Sequence, residues 1–194
     1  MEQESASGSV FSSLQKKILD KSAEYQDYKN DAIYAEQANT VKSLIAEKFG
    51  LDKAVVDQQF SAAGVTNKQL AEAAATITEK INGGTNFVNH SAIALSKVLN
   101  IDKNLVAVQQ LAVAVAKGSN IIAESSLQNQ LEVFKMNGKT GAAVYTDSTL
   151  DEALSGLKVG EGIVLSVISG ASYVSIVKKS DNSFIVTDKD YTYL

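Results

Sequence analysis

His90 is the only histidine in a chain of 194 residues that contains no cysteine. One imidazole and no thiol rule out a thiolate nucleophile, a disulfide, a Cys-type zinc site and a multi-histidine metal centre. The nearest substitute for a thiol nucleophile is a serine hydroxyl, which does not ionise without an adjacent base. Ser91 directly follows His90, yet no base can be identified for it. Near the C-terminus Asp188 and Asp190 alternate and, with the terminal carboxylate, form the one acidic set suited to a hard cation such as calcium. Alternating acids on an extended tail are common without metal, so neither a metal nor a cofactor is expected. Gly138-Lys139-Thr140 matches the end of a phosphate-binding loop, but Val133 occupies the place of the required earlier glycine, and the segment reads as a helix C-cap.

These side chains sit on elements that the hydropathy pattern predicts. Residues 1–8 are small and polar, with nothing to bury, and are expected to form a disordered or partner-ordered tip. Phe11, Leu14, Ile18, Tyr25, Tyr28, Ala32 and Ala35 then recur at three-and-four spacing, interrupted by Lys21. Ala38, Val41, Leu44, Ile45 and Phe49 continue an apolar face, giving one helix of some forty residues or two shorter ones. Gly50 ends this stretch. Asp52 and Thr66 read as N-caps of helices at 51–63 and 67–81, and Asn82-Gly83-Gly84 marks a boundary.

Helices follow at about 89–99, from Asp102 to Lys117, and at 125–137. Period-two alternation then predicts a strand at 142–145, a short helix from a Ser148 cap to Leu157, and strands at 163–168, 173–178 and 184–187 joined by hairpin-type connections. Helices first and an antiparallel sheet last define an α+β chain. Its divisions are a flexible 1–8, a helical segment 9–84 and a domain 85–194. Phe49-Gly50-Leu51-Asp52-Lys53 with Gln58-Gln59 is echoed by Leu99-Asn100-Ile101-Asp102-Lys103 with Gln109-Gln110, the same helix-stop and helix-start grammar used twice.

The net charge of −4 and the absence of arginine, all 18 basic residues being lysine, argue against nucleic acid as a partner. The longest apolar run, Leu111 to Ala116, is too short to span a bilayer, and the acidic, serine-rich start lacks the regions of a signal peptide. A protein or peptide partner remains. The aromatic stripe of the first helix makes Phe11, Leu14, Ile18, Tyr25 and Tyr28 the expected assembly residues, with a homo-oligomer as one outcome.

From Asn89 onward the chain resembles the C39-type cysteine peptidase domain, the papain-like double-glycine peptidases attached to bacteriocin exporters. His90-Ser91-Ala92-Ile93-Ala94-Leu95 stands where that family opens its first core helix with Cys-Gly-x-x-Ala-Leu. Lys158-Val159-Gly160 matches its Lys-Pro-Gly turn. Gly170-Ala171-Ser172-Tyr173-Val174 matches its Gly-x-His-Tyr-Val strand start, and Asp188-Lys189 its Asp-Pro. The resemblance implies a papain-like domain, with core helices first and an antiparallel sheet last.

It also implies lost chemistry. His90 occupies the place of the nucleophilic cysteine, Ser172 that of the general-base histidine and Gly84 that of the oxyanion glutamine, while Asp188 alone keeps its acid. An exchanged dyad, with Ser172 attacking and His90 as base, is the one catalytic arrangement left. It places the imidazole at a helix start, where the dipole favours negative charge. The expectation is therefore a non-catalytic domain that binds a protein or peptide through His90, Ser91, Ser172 and Tyr173 and assembles through the N-terminal helix. A structural subunit of a filament, coat or surface assembly is the alternative.

Overall fold

The computed structural model describes residues 4–119, 126–146, 148–167, 172–189 and 191–193. It is α+β, with seven helices followed by an antiparallel sheet among the described residues. Helix α1 (Glu4–Phe49) is a single rod of 46 residues, about 69 Å long at 1.5 Å per residue. No Pro interrupts it, and the helix already includes Glu4–Gly8, where a disordered tip was expected. Only its last quarter, from Ala38, is covered. Ala38, Val41, Ile45, Ala46 and Phe49 are buried, whereas residues 12–37 are exposed apart from a half-buried Tyr34.

Gly50, with φ of 63°, takes the left-handed conformation that ends α1, and Leu51 N–H donates to Ala46 C=O over 3.0 Å. Helix α2 (Lys53–Ala62) begins at N-cap Asp52, and α3 (Asn67–Asn82) at Thr66, where a reciprocal capping box with Gln69 satisfies two helix-start donors. Asn100 repeats the stop at the end of α4 (His90–Leu99) with φ of 55°, and Ile101 N–H donates to Ser96 C=O over 3.1 Å. Asp102 caps α5 (Lys103–Ala116) and Ser126 caps α6 (Leu127–Met136). The echo in the sequence is thus one helix stop used twice, whereas the starts differ: Asp102 accepts Asn104 N–H through its side chain and Asp52 makes no such bond.

Helix α3 packs along the base of α1, α2 and α3 pack on α5, and α4 lies between the helices and the sheet. One core runs through Val41, Ile45, Val56, Phe60, Leu70, Ile77, Leu95, Val106, Val108 and Val133. Each fully buried Leu, Ile or Phe of this set contributes about 1.5–3 kcal/mol. Phe49 and Phe87 meet edge to face at 5.6 Å. Helices before and after the Gly83-Gly84 stop share this core, so that stop separates elements of one packed body.

The sheet has strand order β1-β2-β3-β4: β1 (Gly162–Val167), β2 (Ser172–Ser180), β3 (Ser183–Asp188) and β4 (Tyr191–Tyr193), every neighbouring pair antiparallel. β4 is an addition to the strands predicted. The predicted strand at 142–145 is not formed: these residues pair with no sheet edge, and Tyr145 stands exposed. Alternation alone cannot make a strand without a ladder partner. Helix α7 (Leu150–Ser155) starts from Thr149, not Ser148. Thr149 makes a capping box with Glu152, and its backbone N–H and then its hydroxyl hold the Glu152 carboxyl below the usual range.

Candidate functional site

His90 is the first residue of α4 and is half-buried. The residue before it organises the turn: Asn89 Oδ1 accepts Ala92 N–H at 2.9 Å and the Ser91 hydroxyl at 2.8 Å. Ser91 is fully buried, and its oxygen accepts from Gln110 Nε2 of α5 at 2.8 Å. Its proton is therefore committed to Asn89 and its oxygen to Gln110, which makes it a bolt between α4 and α5. A hydroxyl held in this way is a structural group with no free proton for a base to take.

Ser172 opens β2 opposite Val167, and Asp188 closes β3 opposite Val174. Directly opposed residues share a sheet face and alternate residues along one strand do too, so Ser172, Val174 and Asp188 lie on one face. Tyr173 lies on the other, with Ser175 and Thr187. Helix α4 packs against β1, β2 and β3, so the fold does place His90, Ser172 and Asp188 on touching elements. Asp188 Oδ1 is buried and accepts no hydrogen bond, so it orients neither of the other two through that oxygen. Of the four expected binding residues, Ser91 and Tyr173 are buried, and Ser172 and Tyr173 point to opposite faces.

Among the described residues no group of three His, Cys, Asp or Glu side chains lies close enough to hold a metal ion. Asp190 and Leu194, the rest of the acidic tail, lie outside the described residues.

No protein-family model, curated protein or solved structure matches this chain. Its site must therefore be read from its own geometry. No described helix is long and apolar enough to cross a membrane.

The assembly residues are placed differently from His90, Ser91, Ser172 and Tyr173. Leu14, Ile18, Tyr25 and Tyr28 are all exposed, Tyr28 to 72%, on a part of α1 that the body does not reach. The Phe11 side chain lies outside the described residues. The surface has little to compensate this exposure beyond a Lys21–Glu24 pair at 3.0 Å and Lys29 Nζ over the Tyr25 ring at 4.6 Å. In proteins most helical stability comes from packing an apolar face, and the face of this stretch is not packed by the body.

Spacing and residue type did not single out the polar lock beneath α5. Gln109 Nε2 donates to Gln59 Oε1 at 2.9 Å, and Asn137 Nδ2 donates to Gln109 Oε1 at 2.9 Å and to Val133 C=O at 2.8 Å. The glutamine pairs in the echoed segments were the available signal. Only the fold shows that Gln59 and Gln109 meet.

Proposed function

We propose that this chain is a non-catalytic protein-binding and assembly module, in which a degenerate C39-like body anchors a helical arm that takes a protein partner. The observation that carries this reading is the exposure of Leu14, Ile18, Tyr25 and Tyr28 on the free part of α1, while from Ala38 onward the same helix buries one face, through Ala38, Val41, Ile45, Ala46 and Phe49. An apolar stripe on an otherwise charged helix is the kind of face a coiled-coil partner covers. The body contributes the anchor. Ala38, Val41, Ile45 and Phe49 fix the root of the arm against α3 and the core, so force on the arm passes to the whole domain.

The resemblance of residues 89–194 to a thiol peptidase, with histidine and serine in place of its cysteine and histidine, supports a body kept for shape and not for cleavage. The commitment of Ser91 to two hydrogen bonds supports the same reading. Sedimentation of the chain at micromolar concentration, beside an Ile18→Asp, Tyr28→Asp double variant, tests the proposal. The expected result is association that the double variant abolishes while its body unfolds at the unchanged denaturant midpoint. A monomer in both, or a covalent adduct at Ser172 with a serine-reactive phosphonate, overturns it.

A further inference from the structure

The free part of α1 carries a regular seam. Leu14, Ile18, Lys21, Tyr25, Tyr28, Ala32 and Ala35 advance by alternating steps of four and three, which is the a/d repeat of a coiled coil. Ala32 and Ala35 are exposed like the larger members. The stripe is graded in size: branched side chains at its N-terminal end, tyrosines beyond the middle, alanines nearest the body.

We infer that this seam is covered by a second copy of the same arm, running antiparallel, with Leu14 against Ala32 of the other copy, Ile18 against Tyr28, and Lys21 against Tyr25. This inference rests on the assembly reading above and fixes the partner and its direction. Three observations single it out. First, this is the register that pairs every stripe position from Leu14 to Ala32, and it sets Leu14 on Ala32 at both ends of the pair, where close packing needs a large side chain over a small one. A parallel pair would stack alanine on alanine and leave gaps there, with leucine on leucine at the other end.

Second, charge sorts the two directions. A parallel pair buries Lys21 against its own copy, and its attractive Glu24–Lys29 pairs are matched by an equal number of repulsive Asp31–Glu36 pairs. The antiparallel pair sets Lys17 beside Asp31 twice and packs the methylene stem of each Lys21 against Tyr25 of the other copy. The one like-charge meeting, Glu24 with its own copy near the twofold axis, has Lys21 at 3.0 Å in each helix to offset it.

Third, the body leaves the seam open. At the root of α1 the buried Ala38, Val41 and Ile45 lie roughly a third of a turn around the helix from the stripe, and the body covers the line of the seam itself only at Ala46 and Phe49, beyond exposed Asn39. The paired stretch from Leu14 to Ala32 therefore lies wholly within the exposed part of α1. Leu19 and Ile33 also stand exposed, off the line of the seam.

The absence of native cysteine makes the test clean. Ile18→Cys and Tyr28→Cys are prepared as separate full-length variants, each checked for unchanged helicity, and joined with a short bis-maleimide, which adds one thiol at each end, alone and after mixing. The antiparallel pair predicts a cross-linked dimer in the mixture, joined between positions 18 and 28, at least tenfold above either variant alone. Cross-linking of each variant to itself, with no gain on mixing, overturns the antiparallel arrangement and leaves the assembly reading standing. Monomeric mass without cross-linking in any sample overturns both.

Discussion

The side-chain amide of Gln109 on α5 donates to the side-chain oxygen of Gln59 on α2 over 2.9 Å, joining two residues fifty positions apart. Asn137 at the end of α6 closes the set from the other side. One glutamine thus ties three helices at a point where the core would otherwise be apolar, and each of its polar ends is used.

Replacing Gln109 by leucine removes that tie and strands the amides of Gln59 and Asn137 in a partly buried place. An unmet buried polar group costs about 1–3 kcal/mol, so the urea midpoint of Gln109→Leu falls accordingly. A double-mutant cycle with Gln59→Ala gives a non-zero coupling energy if the hydrogen bond is formed in solution.

Ser91→Ala tests the bolt between α4 and α5. Gln110 Nε2 loses its acceptor inside the core, and the expected loss is again about 1–3 kcal/mol by chemical denaturation. The association of the arm is unchanged by this variant, because Ser91 is remote from Leu14–Ala35 along α1 and lies within the packed body.

Gly162 begins β1 where a side chain has no room. A Cβ there would stand 2.7 Å from the Ile176 carbonyl oxygen and 3.0 Å from Val177 Cγ2, so the β1–β2 ladder must move apart to accept it. Gly162→Ala is expected to destabilise by about 1–3 kcal/mol, with loss of amide protection in β1 and β2 ahead of the helices.

Asp57 on α2 receives Lys42 of α1 at 3.1 Å and Lys53 at 3.0 Å. Burial pushes its carboxyl up, but the hydrogen bonds and charges of Lys53 and Lys42 outweigh this and hold it below the usual carboxylate range. A lowered folded-state value means that the contribution is complete above the unfolded value of about 3.9 and is lost as pH falls through the folded value. The group is partly exposed, so Asp57→Asn costs no more than about 1 kcal/mol at pH 7. Denaturation midpoints of the two proteins converge in strong acid; a gap that persists there would assign the effect to packing.

Amide exchange separates arm from root. In dilute monomer, residues 12–36 exchange rapidly and 38–49 slowly, since only the latter are held by the core. At concentrations where the chain associates, protection spreads into 14–35.

The sequence by itself determined the punctuation of this protein. Thr66, Asn89, Asp102 and Ser126 accept the first amide hydrogens of their helices, and Gly50 and Asn100 supply the left-handed stops. Each is an interaction within a few residues, so the local residue types suffice to specify it. The three-and-four spacing of the α1 stripe was legible for the same reason. The tertiary structure alone decided which half of that helix is buried, that residues 142–145 find no sheet edge, that Tyr191–Tyr193 do, and that Ser91 is tied between Asn89 and Gln110. These outcomes depend on groups far apart in the chain, and such pairings form only where the whole fold repays the entropy of closing the loops between them.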